Sequence, residues 1–252
     1  MSKLIAITGK GGVGKTTVSA LLIKNLLDSG KAPVLAIDAD PNSCLDAALG
    51  VRAVNTVGRA REEVRNAAGA GANISKHELL RLKIEQGLVE AKGFDLIAMG
   101  RPEGEGCYCY ANNVLKDVIA EISTQYPYVI LDNEAGLENL SRRIVQKVDL
   151  MVLASDPSNS GLQTLLRLYE LAGEMKMSYN KLALVINKLR GNALPDRIDE
   201  IREKTGADIV IGLSDNAEAA AFAEANRNFL EIPDTNPVYK ELEVLISLVI
   251  EN

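Results

Sequence analysis

The sequence predicts an α/β fold: a single domain over residues 1–252, built on a mostly parallel, doubly wound sheet flanked by helices. Three observations predict it. Short apolar runs alternate along the chain with longer stretches of helical period. Those runs are β-branched or Leu-rich with little polar alternation, as strands covered on both faces require. Finally, 252 residues with 47% apolar and 25% charged side chains suffice for one sizeable core and are too apolar for a disordered chain.

In chain order, Leu4–Thr8 reads as the first strand, followed by a glycine-rich turn and a helix over Thr16–Leu27. Pro33–Asp38 is the second strand. The segment 52–92 is longer than one crossover helix needs, so it is expected to be an α-helical elaboration at one edge. It carries helices Thr56–Ala68 and Lys76–Gln86 joined by a flexible Ala67–Asn73 loop (AAGAGAN). Phe94–Met99, Tyr128–Asp132, Leu150–Ala154, Leu182–Asn187 and Ile209–Ile211 are the remaining strands. Helices are expected over Asn113–Ser123, Gly161–Met175, Asp196–Lys204, Asp215–Ala225 and, after Pro233 and Pro237, Val238–Ile250.

Composition removes several classes. With 34 acidic and 28 basic residues the net charge is −6, which gives no support to nucleic-acid binding. The start MSKLIAITGK has neither the apolar region nor the cleavage site of a signal peptide. Val244–Ile250 is too short to span a bilayer, and the last helix is acidic rather than basic, so no membrane partner is expected. Three cysteines are too few for a disulfide scaffold, which points to the reducing cytoplasm. One histidine excludes a His-rich metal site, so any transition-metal site must use thiolates or carboxylates.

Gly9-Lys10-Gly11-Gly12-Val13-Gly14-Lys15-Thr16 satisfies G-x-x-x-x-G-K-[ST], between the strand LIAIT and an amphipathic helix. The glycines let backbone N–H groups converge on phosphate oxygens, and the helix N-terminus adds partial positive charge. Lys15 neutralises β- and γ-phosphates, Thr16 enters the Mg²⁺ shell, and Thr17 completes the nucleotide-binding set. The domain is thus expected to be a P-loop nucleotidase using ATP/ADP and Mg²⁺. Asp38 and Asp40 close the second strand, and Asp132 closes the fourth, where carboxylates border the ligand crevice. Asp132 is the expected Mg²⁺ carboxylate, acting through water. Gly136 is placed to offer its N–H to the γ-phosphate, and Asp38 is expected to be supportive. Asn187-Lys188 stands where P-loop proteins read the base. Guanine readers continue to an aspartate, but that position is Arg190, which has donors only, so adenine is favoured.

Gly104-Glu105-Gly106-Cys107-Tyr108-Cys109-Tyr110 is the distinctive feature outside the nucleotide motifs. In an extended chain residues i and i+2 share a face, so both sulfurs can meet one metal ion. Two thiolates leave a four-coordinate shell half filled, and a two-fold dimer would supply the other half. Such a site suits Zn²⁺ or Ni²⁺, or an iron–sulfur cluster. A helix starting near Asn112 would lower the thiol pKa values. Cys44 is expected in the core, and His77 on the surface with no partner.

KGGVGKTT resembles the deviant Walker A motif of the MinD, ParA and nitrogenase iron-protein group of P-loop ATPases. Together with DADPN, MGRPEGEGCYCYANN and LDNEAGLENLSRR, it resembles the CooC and AcsF type of nickel-insertion ATPases. Glu134 stands where MinD-like relatives have proline, and Gly212-Leu213-Ser214-Asp215 departs from the group's I-P-x-D base loop. The resemblance implies a homodimer in which Lys10 reaches the partner's phosphates, supplying charge as an arginine finger does. It implies that Asp40 positions the attacking water, with Lys10, Lys15, Thr16, Asp40 and Asp132 as the hydrolytic set. Cys107 and Cys109 would be nickel or zinc ligands shared across the dimer. The client would be a carbon monoxide dehydrogenase or an acetyl-CoA synthase. Two rivals are an iron–sulfur cluster carrier or electron-transfer ATPase and a MinD/ParA-like positioning ATPase. The second needs a basic amphipathic tail or a DNA-binding face, and VYKELEVLISLVIEN offers neither.

Overall fold

Strand β1 (Lys3–Gly9) runs through the middle of the molecule, with Ile5, Ala6 and Ile7 fully buried. Its alternate residues serve two cores, Ala6 on one face and Ile5 and Ile7 on the other. In a computed structural model, residues 2–67, 74–101, 109–136, 147–191 and 193–250 are described, with the backbone alone at 67, 109–112 and 250.

Strands β2 (Val34–Asp38), β3 (Val89–Glu90), β4 (Phe94–Ala98), β5 (Tyr128–Ala135), β6 (Lys147–Ser155), β7 (Ser178–Leu189) and β8 (Ile209–Ser214) complete an eight-stranded sheet. Its order is β3-β4-β2-β5-β1-β6-β7-β8, parallel throughout except where β3 pairs antiparallel with β4. Helices α1 (Lys15–Asp28), α2 (Leu45–Ala48), α8 (Ala217–Glu224) and α9 (Pro237–Ile250) cover one face. Helices α3 (Val57–Ala67), α4 (Lys76–Gln86), α5 (Cys109–Ile122), α6 (Asn159–Glu174) and α7 (Ile198–Thr205) cover the other. Burial on both faces explains why the strands lack polar alternation.

All seven expected strands are present; β3 and α2 are additions. Neither has the length to show a period: β3 has two residues and α2 has four. The helix expected from Asn113 starts at Cys109. Most of the Ala67–Asn73 loop lies outside the described residues. His77, expected to lack a partner, lies 3.4 Å from Asp117 across the α4–α5 contact. Among the described residues no helix is long and apolar enough to cross a membrane.

The long helix α9 is fastened to α1 by a charged cluster. Lys24, 5% exposed, donates to Asp28 (2.6 Å) and Asp234 (2.7 Å) and lies over the Tyr239 ring. Tyr239 in turn donates to Asp28 at 2.7 Å. Burial raises the Asp28 pKa, but hydrogen bonds from Lys24 and Tyr239 outweigh it and hold the carboxyl below its ordinary value. A depressed folded-state pKa adds stability above the unfolded pKa, and that stability is lost as pH falls through the folded value. Asp28→Asn should therefore lower the urea midpoint at pH 7, and the gap from wild type should close in strong acid. A gap that stays constant from pH 7 to pH 2 would contradict this.

Candidate functional site

The carboxyl ends of β1, β2, β5 and β7 open on one cleft of about 620 Å³, within the usual size of small-ligand sites. The β1–α1 loop forms its floor. Gly14 caps α1 in the left-handed conformation, φ 91°, and offers no side chain to the first-turn N–H groups. A Cβ there would stand 2.5 Å from Asn187 Nδ2, so glycine is required on two counts. Gly11, Gly12, Lys15, Thr16 and Thr17 all line the cleft, whereas Val13 is buried beneath it.

Lys15 is 8% exposed, and its Nζ points back toward the Lys10 carbonyl at 3.4 Å. Burial lowers its pKa, opposed by the charges of Asp132, Asp40 and Glu134. Thr16 Oγ1 donates to Asp132 Oδ2 (2.7 Å), and Ser19 Oγ donates to Asp132 Oδ1 (3.1 Å). Ser19 escaped the sequence reading, although Thr16 and Ser19 sit three apart on one helix face. Asp38 and Asp132 stand in register on adjacent strands, both 1% exposed. Burial raises the pKa of each, and Asp132 raises that of Asp38 further. Lys15 faces the carboxylates of Asp132, Asp40 and Glu134. A divalent cation on the cleft side of Thr16, with Asp132 behind that hydroxyl, fits the donor set present.

The second-strand loop is pinned from below. Asp38 Oδ1 accepts from the Asp40 N–H (3.0 Å), and its Oδ2 accepts from the Leu45 N–H (2.9 Å). Asp40 and Glu134 face the cleft from opposite loops. At Gly136 the N–H expected for a γ-phosphate donates to the Gly9 carbonyl at 3.1 Å. Its own carbonyl accepts from Thr8 Oγ1 at 2.5 Å, so this loop is fastened to β1 in the present conformation. Residues 137–146, including all of LENLSRR, lie outside the described residues.

Lys10, expected to act across a dimer, donates here to Ser160 Oγ (3.0 Å) at the start of α6. Asn187 is a strut. Its Nδ2 donates to the Val13 carbonyl (2.8 Å) and its Oδ1 accepts from the Lys188 N–H (2.8 Å). Lys188 Nζ donates to the Gly12 carbonyl at 2.8 Å. Both residues bond the phosphate loop and line the cleft, whose wall also includes Asn216, Ala219, Ala220, Ala223 and Val238. That alanine face was missed by the sequence reading; its signal is the small-residue run Ala217–Ala225.

Of the two cysteines expected to bind metal, Cys107 lies outside the described residues. Cys109 has a helical backbone, so the extended-chain geometry does not apply at its position. Cys44 is exposed ahead of α2 rather than buried, because the short helix turns it outward. Partial burial and the carboxylates of Asp38, Asp40, Asp132 and Asp46 raise its thiol pKa, which disfavours the thiolate that metals bind. Among the described residues no group of three or more His, Cys, Asp or Glu is arranged to hold a metal ion.

The profile of the AAA-domain family matches residues 2–185. An uncharacterized ATP-binding protein of Methanocaldococcus jannaschii is 40% identical over 250 residues, covering 98% of each chain. The carbon monoxide dehydrogenase accessory protein CooC of Rhodospirillum rubrum is 34% identical over 183 residues, 68% of this chain and 69% of that one. Among solved structures, the septum site-determining protein MinD of Pyrococcus horikoshii complexed with Mg-ADP superposes with a TM-score of 0.68. It is 16% identical, with 98% of this chain and 96% of that chain covered. A phosphate loop on a central parallel strand and these relationships together place the protein: the chain belongs to the AAA-domain family of ATP-binding P-loop ATPases.

Proposed function

We propose that this chain is a homodimeric, Mg-ATP-hydrolysing metallochaperone that carries nickel to carbon monoxide dehydrogenase or acetyl-CoA synthase. The observation that carries the reading is the pairing of the GEGCYC segment with the likeness to CooC. The nucleotide is cradled by Gly9–Thr17, with Lys15 on its phosphates and Thr16 and water-linked Asp132 on Mg²⁺. Asp40 orients the attacking water, and Gly136 engages the γ-phosphate after leaving the Gly9 carbonyl. Asn187 and Lys188, which line the cleft, bind the nucleotide at its base, with adenine favoured over guanine. Lys10 leaves Ser160 and stabilises charge on the partner's phosphates when two copies meet. Ni²⁺ is cargo, held by Cys107 and Cys109 from each of two chains; Zn²⁺ competes for the same thiolates.

Anaerobic titration with Ni²⁺, followed by sizing and metal analysis, tests this reading. About one Ni²⁺ per two chains is expected in a dimer peak, as four thiolates per ion require. Cys107→Ser/Cys109→Ser should abolish that uptake and leave Mg-ADP binding intact. Unchanged Ni²⁺ affinity in the double variant would overturn the metal role. Iron, sulfide and visible absorption in the untreated protein would assign a bridged cluster instead.

A further inference from the structure

Asn133, the residue after Asp132, is 2% exposed and only half satisfied. Its Nδ2 donates to the Ile7 carbonyl (2.9 Å), whereas its Oδ1 is buried with no hydrogen-bond partner among the described residues. Turning the amide over cannot mend this, because the Ile7 carbonyl only accepts. A buried acceptor without a donor is costly, and one placed between two residues of the site points to a second state that supplies the donor.

Thr8 stands beside it. Strand β1 pairs with β6 without interruption from Ile5 to Gly9, so alternation puts Thr8 on the face of Ala6. On β5, Asp132 faces Thr16 and Ser19 of α1, so Asn133 belongs to the opposite face, with Leu131. Thr8 and Asn133 therefore share a face on adjacent strands. Their register is irregular: Ile7 pairs with Asp132 but Gly9 with Ala135, which leaves Thr8 alone opposite Asn133 and Glu134. A bulge of this kind re-aims side chains beside a site. Thr8 is fully buried, and its hydroxyl donates to the Gly136 carbonyl (2.5 Å) while the Gly136 N–H donates to the Gly9 carbonyl (3.1 Å).

We propose that the Thr8 hydroxyl has two alternative acceptors, the Gly136 carbonyl and Asn133 Oδ1, and that its transfer to Asn133 frees Gly136 for the γ-phosphate. This rests on the reading in which the Gly136 N–H engages that phosphate. In the fastened state Thr8 serves Gly136 and Asn133 Oδ1 goes without. In the released state a change of threonine rotamer satisfies both buried groups at once. Gly136 is partly exposed, so its freed carbonyl turns to water. Thr8 and Asn133 line no part of the cleft; they are positioning residues that act through Gly136. Mg-ADP, which has no γ-phosphate, binds without the exchange.

The test titrates wild type, Thr8→Val, Asn133→Val and the double variant by calorimetry, with Mg-ADP and with a non-hydrolysable Mg-ATP analogue at one protein concentration. The readout is analogue affinity relative to Mg-ADP affinity. Asn133→Val removes the second acceptor and strands the Thr8 hydroxyl on release, so this ratio should fall about fivefold or more, the lower end of ordinary coupling. Adding Thr8→Val removes both the stranded donor and the fastening. The double variant should therefore recover to within about twofold of Thr8→Val alone, whereas independent structural damage would make the two effects add. Thr8→Ser, which keeps the hydroxyl, should keep the wild-type ratio. Asn133→Ala takes the place of Asn133→Val if circular dichroism shows that the latter does not fold. Effects that add, or a ratio unchanged by substitution of Asn133, overturn the proposal. The amide resonance of Gly136 separates it from the reading on which it rests. A shift with the analogue and none with Mg-ADP reports departure from Gly9; if the variants are then additive, the exchange fails and the role of Gly136 stands. Recovery in the double variant without that shift sinks the role of Gly136 and leaves the exchange between Thr8 and Asn133 standing.

Discussion

Lys15→Ala should cut ATP turnover about a hundred- to a thousandfold, equivalent to about 3–4 kcal/mol of transition-state stabilisation. The expectation follows from its surroundings. Its Nζ is a cation drawn into a buried site by Asp132, Asp40 and Glu134, and these carboxylates oppose the lowering of its pKa that burial imposes. Without the ammonium, Asp132, Asp40 and Glu134 lose the cation that faces them while a polyphosphate enters, so nucleotide binding should weaken as well. The fold should survive, since Lys15 opens α1 at the cleft and, among the described residues, its Nζ makes one long hydrogen bond, to the Lys10 carbonyl. Lys15→Arg should not restore turnover, because a planar fork cannot occupy the space of a compact ammonium without displacing the loop. Phosphate-release assays at saturating Mg-ATP, with circular dichroism as a check on folding, decide it. Turnover within threefold of wild type in Lys15→Ala would remove this lysine from the hydrolytic set.

What the sequence makes legible here is what is local. A strand buried on both faces is a continuous apolar run whatever its neighbours, so β1, β2 and β4–β8 are readable one at a time. The phosphate loop is eight consecutive residues, and its strand and helix are adjacent in the chain. Contacts between distant segments leave no such mark. Nothing in LVINKL says that Asn187 also bonds the Val13 carbonyl, 174 residues away in the chain. Nothing in PNSC says that Ser43 will bond the backbone of Gly100, 57 residues away. The misplacement of Cys44 has the same origin. A four-residue helix cannot declare which face it buries, and α2 buries Leu45 and Ala48 while leaving the preceding cysteine outside. His77 likewise found Asp117 only because α4 and α5 pack side by side.

The largest effect on stability is expected at Gly9, for a reason that also lies between distant segments. Gly9 ends β1, and it pairs with Ala135 on β5 and Ala154 on β6. A Cβ at Gly9 would lie 2.2 Å from the Ala154 carbonyl oxygen and 3.0 Å from its carbon. Both obstructing atoms are backbone in the middle of the sheet, so no side chain can swing aside. Relief requires parting β1 from β6, at the point where Gly9 also accepts the Gly136 N–H. Overpacking against a side chain typically costs 1–3 kcal/mol, and an immovable backbone sets the upper end, about 3 kcal/mol or more for Gly9→Ala. In a chain of this size that is a fall in Tm of about 6–12 °C. Gly173→Ala is the matched control. It lies near the end of α6, and a Cβ there would meet no atom within 4 Å, so the same chemical change should be neutral or stabilise by up to about 1 kcal/mol. If thermal unfolding shifts by the same amount in both variants, the close approach of β1 to β6 is not what requires glycine at position 9.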